Sequence, residues 1–348
     1  MRVLSLLLSL LFFCACLKEN PMKSDNRSLV PMELNDGLAI STLAEQQLDE
    51  KKIKQAFDIF YSNKLPLSRG LTIIRNNFLV AEAYARDRSD IDKIDNIQSC
   101  TKSITALLIG MAIQDGLIAS VNDPISKYIP EYFNTDASKR KISIRNCLTM
   151  QGGLEFGGNG ESEKMVNTSG SSIEFVLKKP MLADTGSTFL YSDLLPQLLT
   201  GLLHKVTPDG VEAYAKQKLF DPLGIDQYIW EKTKDGINIG AFSIFITNRD
   251  LAKIGMLCVN NGVFDGLQIV GSDWIKVSSQ KQAKDAPYGY GFYVNSDQSY
   301  QMRGNGGQFV YIDPIKKLVI TYTALPYSGP SLWGNTTELV NLIRDACN

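Results

Sequence analysis

Hydrophobic and polar positions form blocks of different period along the chain. Apolar residues recur at helical spacing over residues 43–61, which predicts an amphipathic helix. Two strand-like runs follow at 71–74 and 78–84, separated by Asn76-Asn77, a pair suited to a hairpin turn. Toward the other end, residues 288–294, 308–312 and 318–322 read as three more strands, the last two joined by a turn at Asp313-Pro314. A closing helix over 336–347 carries Leu339, Leu342 and Ile343 on one face. The stretch 121–230 is richer in helical periodicity and loops. The pattern predicts an α+β fold: an antiparallel sheet flanked by helices, built from both chain ends, with a mainly helical insert. The expected organisation is 43–120 with 236–348 as the α/β part and 121–235 as the helical part.

The first block has another character. Met1-Arg2 precedes an apolar run over 3–13 and then Cys14, Ala15 and Cys16, a basic start followed by a signal-length segment too short to span a bilayer. Ala15 before Cys16 resembles a bacterial lipoprotein cleavage box, which makes 1–16 a signal peptide and Cys16 the lipidation site. An ordinary cleaved signal peptide is the alternative. The polar stretch that follows reads as a tether over 17–42. The expected location is therefore outside the cytoplasm, as a periplasmic or outer-membrane lipoprotein held to the membrane by its N-terminal lipid.

With 348 residues, 44% of them hydrophobic and 21% charged, the chain has enough apolar material for a large core. Its 36 Lys and Arg nearly balance 37 Asp and Glu, so no broad positive field favours nucleic acid, and a small neutral or mixed-charge substrate fits better. Beyond the leader, Cys100, Cys147, Cys258 and Cys347 are scattered, with no C-x-x-C pair, and read as buried free thiols. His204, the single histidine, lies in a helical stretch, which argues against histidine-based triads and histidine-rich metal centres. No metal or other cofactor is expected.

Ser-x-x-Lys occurs three times, at Ser99/Lys102, Ser138/Lys141 and Ser278/Lys281. Only the first opens a long apolar helix, with Ile104, Leu107, Leu108 and Met111 on one face and Asp115-Gly116 closing it. The other two read as solvated surface residues. Three helical residues bring the Lys102 amine to the side of the Ser99 hydroxyl, and a serine becomes nucleophilic when a neighbouring base takes its proton. The unpaired amides of a helix start suit oxyanion binding.

The run Ser99-Cys100-Thr101-Lys102-Ser103-Ile104-Thr105, followed by Asp115-Gly116-Leu117, resembles the nucleophile helix of the class C β-lactamase-related serine hydrolases. The segment 142–153 (ISIRNCLTMQGG) is similar to the family's lead into its helical part, and 186–193 (GSTFLYSD) resembles the one carrying its catalytic tyrosine. The resemblance implies a β-lactamase/transpeptidase-like fold, Tyr191 as the proton-relaying phenol, and Asp193 where the family often has Asn. The general base is left open between Lys102 and Tyr191. Met302-Arg303-Gly304-Asn305-Gly306-Gly307-Gln308 takes the place of the family's Lys-Thr-Gly strand, with the amides of Ser99 and Asn305 as oxyanion donors and Arg303, Gly304 and Gly306 as supporting residues. Met302 and Arg303 replace residues that help hold a substrate carboxylate in β-lactamases. The sequence, including Tyr288-Gly289-Tyr290-Gly291, is closer to the esterase and 6-aminohexanoate-dimer hydrolase branches. The expected activity is hydrolysis of a small ester, amide or peptide through an acyl-enzyme on Ser99. The alternatives are a surface-tethered penicillin-binding-like sensor or binding lipoprotein with little turnover, and a β-lactamase or D-amino-acid peptidase. Substrate choice is expected to depend on the loop at 155–172.

Overall fold

The computed structural model describes residues 29–86, 88–133, 136–326 and 333–347. The leader and Cys16 lie outside the described residues. Six antiparallel strands form the main sheet, in the order Phe78–Tyr84, Ser68–Arg75, Leu318–Ala324, Phe309–Asp313, Tyr300–Arg303, Tyr293–Val294. Strands from the two ends of the chain thus meet at its centre, where Ile73 faces Ile320. The Asn76-Asn77 turn sits at φ 50° and 71°, the left-handed geometry that asparagine tolerates.

Helices cover both faces. On one, Glu50–Phe60 and Thr337–Ala346 pack Phe57, Phe60, Leu339 and Ile343 against Leu71, Ile73 and Ile320. Their apolar stripes are what periodicity predicted, with the first helix confined to the second half of the 43–61 window. On the other face, Asn248–Val259 lies so close that a Cβ on Gly255 would stand 2.5 Å from Val319 Cγ1. The same core cluster holds Cys100–Gln114, buried around most of its circumference rather than on the single face expected. Its Ile104, Leu107, Leu108 and Ile109 are fully enclosed, each worth about 1.5–3 kcal/mol of apolar burial.

Three hydroxyl residues in the first half of that helix are also enclosed, and each ties the helix to a distant segment. Ser103 Oγ donates to the Gly291 carbonyl at 2.6 Å, Thr105 Oγ1 to the Gly240 carbonyl at 2.9 Å, and Thr101 Oγ1 accepts from the Ile244 amide at 3.3 Å. A small second sheet, Asp95–Asn96, Ile244–Ile246 and Ile229–Trp230, brings the segment before Ser99 beside residues 241–244.

Three expectations are corrected. The strand over 288–294 shrinks to Tyr293–Val294, with one bridge from Tyr288 to Tyr293. The chain must bend there because Gly289 is pressed to 1.9 Å, measured from its would-be Cβ, from the Ser278 carbonyl, and Gly291, at φ 77°, tucks against the Lys102 carbonyl. The tether expected over 17–42 ends before Met32: Arg249, itself buried, donates from Nη2 to the Met32 carbonyl and from Nη1 to Asp36 at 2.8 Å, and Ile40 bridges to Leu79. Ser278 is buried, not solvated, with its hydroxyl unpartnered among the described residues, whereas Lys281, Ser138 and Lys141 are exposed. The four described cysteines are free and buried. Among the described residues no helix is long and apolar enough to cross a membrane.

Candidate active site

Ser99 sits at the N-cap of the buried helix, half-buried, and its side chain caps nothing. The turn into it is tight. Gln98 is held at φ 52°, and the amides of Cys100, Thr101 and Lys102 fold back onto the carbonyls of Ile97, Gln98 and Ser99. The Ser99 amide donates to no carbonyl among the described residues.

One turn later Lys102, 3% exposed, points its amine at three oxygens: Ser99 Oγ at 2.9 Å, Asp193 Oδ1 at 2.6 Å and the Ala241 carbonyl at 3.0 Å. Asp193 stands at the N-cap of Leu194–Val206, yet its carboxylate does not cap that helix. It is spent on Lys102 and, through Oδ2, on the Ser162 hydroxyl at 2.6 Å. The capping of the Leu194 amide falls to Ser192 instead.

Tyr191 lies two residues before Asp193, with the Lys102 amine 4.9 Å from its ring centroid. Burial pushes its phenol above the ordinary tyrosine range, while hydrogen bonds with Ser99 and Tyr293 pull the other way. Tyr191, Tyr288 and Tyr293 form an aromatic cluster with centroids 5.0 to 6.2 Å apart.

The strand opposite supplies the remaining wall. Gly304 packs on the segment leading to the serine, where a Cβ would meet the Ile97 carbonyl at 2.4 Å. Asn305 follows at the rim, and its amide is engaged with no carbonyl among the described residues. Met302 points into the core and Arg303 outward, stacked over Tyr293 at 5.5 Å. Gly306 is placed elsewhere: it is buried against Pro326 and does not line the cleft. His204 is exposed on its helix and does not line the cleft.

Ser99, Tyr191, Asp193, Arg303, Gly304 and Asn305 therefore share one cleft of about 850 Å³. Phe156, Val166 and Phe242 give it an apolar side, and Glu163 adds a charge at its edge. Sequence reasoning missed Ser162, Phe242, Tyr293 and the Ala241 carbonyl. Only Tyr293 left a trace, as the last aromatic of the Tyr288-Gly289-Tyr290-Gly291-Phe292-Tyr293 run.

Comparison with known proteins gives the family and the fold. A family model described as Beta-lactamase matches residues 69–328. The chain belongs to the beta-lactamase family. An Escherichia coli K12 protein assigned as a D-alanyl-D-alanine carboxypeptidase is 21% identical over 78% of this chain and 80% of its own length. Among solved structures, a Bacillus anthracis protein assigned as a 6-aminohexanoate-dimer hydrolase superposes with a TM-score of 0.73 at 18% identity, covering 93% of this chain and 89% of that one. A family VIII carboxylesterase superposes with a TM-score of 0.68 at 15% identity, over 89% and 98%. The α+β, class C β-lactamase and penicillin-binding-protein-like fold is thus established for this beta-lactamase family member. Membership makes it a serine-hydrolase-like enzyme of the β-lactamase and esterase superfamily.

Proposed function

We propose that this protein hydrolyses small esters or amides through an acyl-enzyme on Ser99. The observation that carries the reading is the surroundings of Lys102 Nζ. Two of its three neighbours, the Asp193 carboxylate and the Ala241 carbonyl, only accept hydrogen bonds, whereas Ser99 Oγ both donates and accepts. A neutral amine satisfies the first two with N–H bonds and turns its lone pair to the Ser99 hydroxyl; an ammonium satisfies all three. The proton therefore moves from Ser99 to Lys102 without rearranging either side chain.

Lys102 is accordingly assigned as base and Tyr191 as acid. Burial keeps the Tyr191 phenol protonated, which suits a group that hands its proton to the departing alkoxide or amine and recovers it from Lys102. The Ser99 oxygen bonds to the acyl carbon as the leaving group departs. The amides of Ser99 and Asn305 face the developing oxyanion. Water then attacks the ester, its proton returns to Ser99 through the same groups, and the acid is released.

The apolar wall of Phe156, Val166 and Phe242 supports an uncharged acyl or alcohol part as substrate. Exposure to a fluorophosphonate or p-nitrophenyl ester, followed by intact-mass spectrometry, is expected to show one adduct that Ser99→Ala abolishes. Equal labelling of the variant would overturn the assignment. The Met302-Arg303 departure favours a second reading, a tethered binding or sensor protein that acylates without turnover; a single burst with no steady state is its signature. The basic start, apolar run and Cys16 support export and attachment to a bacterial membrane by lipid.

A further inference from the structure

The carboxylate that holds Lys102 is itself held from the cleft wall. We infer that Ser162 is a positioning residue for the reaction: its hydroxyl fixes Asp193 so that Lys102 stays aimed at Ser99. The inference rests on the function proposed above and extends it to a residue in the wall helix, away from the segments that carry the nucleophile, the tyrosine and the glycine strand.

Ser162 is 5% exposed and lies in the helix Asn159–Val166, where its Oγ donates to Asp193 Oδ2 at 2.6 Å. Oδ1 of the same carboxylate takes the Lys102 amine. The carboxylate is thus gripped on both oxygens, and its torsion, on which the direction of the amine depends, is fixed by a short charge-assisted bond. Without that bond, a carboxylate at the cleft edge is free to turn toward solvent and carry the amine with it.

The helix that carries Ser162 is pinned from outside. Glu161 pairs with Lys179 and accepts from the Gly157 amide at 2.9 Å, and Lys179 lies over the Phe175 ring at 4.6 Å. Its cleft side presents Asn159, Glu163 and Val166. The Ser162–Asp193 bond therefore joins the wall that meets substrate to the pair that prepares the nucleophile, so a shift of the wall changes how Lys102 is held.

The test compares kcat and KM of Ser162→Ala with the native enzyme on a p-nitrophenyl ester, in the Asp193 and Asp193→Asn backgrounds. The expected result is a fall of about tenfold in kcat with KM changed less than about twofold, shrinking to less than about twofold in kcat when Asp193 is already Asn. Because a buried alanine can unsettle the helix, the pair Ser162→Thr and Ser162→Val, alike in shape and different in the hydroxyl, serves as a second measure. Threonine is expected to retain most of the native kcat and valine to match alanine. Native kcat in the alanine variant, equal losses in both backgrounds, or equal behaviour of threonine and valine would each overturn the inference. Loss of ester turnover in Ser162→Ala is interpreted only where Ser99→Ala abolishes labelling, so a failure of the serine assignment is seen separately.

Discussion

Replacing Gly304 by alanine tests whether the approach of strand to nucleophile turn matters to the chemistry. The added Cβ would lie 2.4 Å from the Ile97 carbonyl oxygen, 2.9 Å from Gln308 Cβ and 3.1 Å from Gln98 Cβ. An ordinary carbon–oxygen contact is longer by roughly 1 Å, so strand and turn must separate by about that much. Neither partner yields cheaply. The Ile97 carbonyl receives the Cys100 amide at 3.2 Å, the Ile97 amide donates to Ile244, and the Gly304 amide donates to the Gln308 carbonyl at 2.8 Å. The two proposed oxyanion donors, on Ser99 and Asn305, sit on opposite sides of this contact and move apart together. A displacement of this size costs on the order of 10²-fold in rate, similar to the loss of one oxyanion donor. Steady-state hydrolysis of a p-nitrophenyl ester is expected to show kcat reduced about 100-fold with little change in KM. Gly110→Ala is the control, since its Cβ would strike the Trp274 ring at 2.3 Å inside the core and away from the cleft. Both variants are expected to lose thermal stability, but the folded fraction of the control keeps its kcat. A Gly304→Ala enzyme with native kcat would refute the reasoning that the glycine is there to close the oxyanion site.

Arg249 ties the 32–41 arm to the body through Glu82 and Asp36, both ion pairs with the guanidinium buried. Arg249→Met strands the Glu82 carboxylate and is expected to remove about 3–5 kcal/mol in urea unfolding, with earlier proteolysis of the arm; a loss under about 1 kcal/mol would show the pairs to be dispensable. Burial raises the phenols of Tyr84, Tyr191, Tyr288, Tyr293 and Tyr300 in the folded chain. The native state therefore keeps protons that the unfolded chain gives up, so stability is full below about pH 10 and falls as pH rises beyond it. Chemical unfolding at pH 9 and pH 11, followed with tyrosine ionisation by absorbance, checks both the sign and the window.

Much of this was legible in the sequence, for identifiable reasons. Strands from the two ends have period-two or continuous apolar runs, and the terminal helices have clear stripes, so their pairing into one flanked sheet followed from pattern. Ser99, Lys102, Tyr191 and Asp193 lie in segments whose residue order resembles the family; the fold brings Ser99, Tyr191 and Asp193 to one cleft and buries Lys102 against Ser99 and Asp193. What stayed hidden depends on tertiary placement. The Ala241 carbonyl carries no side-chain signal at all. Ser162 is one serine among many until the fold sets it against Asp193. The second sheet consists of strands two or three residues long, too short for any period to register. The bend at 288–292 follows from close packing of two glycines against carbonyls outside the segment, those of Ser278 and Lys102, which a local reading turns into one continuous strand.

The alternation of the Tyr300–Arg303 strand bears on what the cleft accepts. Tyr300 and Met302 face the core, while Arg303 faces out, so the position where the family resemblance expects a lysine holds a thioether shut away from solvent. No amine stands there to meet a substrate carboxylate from inside. The positive charge stands instead at the rim, one residue on, oriented by the Tyr293 ring and exposed to water. Salt and solvent screen a charge in that setting, so it orients an approaching anion more than it anchors one. On the function proposed above, the apolar side formed by Phe156, Val166 and Phe242 is indifferent to charge. That division of labour supports neutral esters and amides over β-lactams as substrates, because a β-lactam bound without an inner cation leaves its carboxylate held only at the mouth.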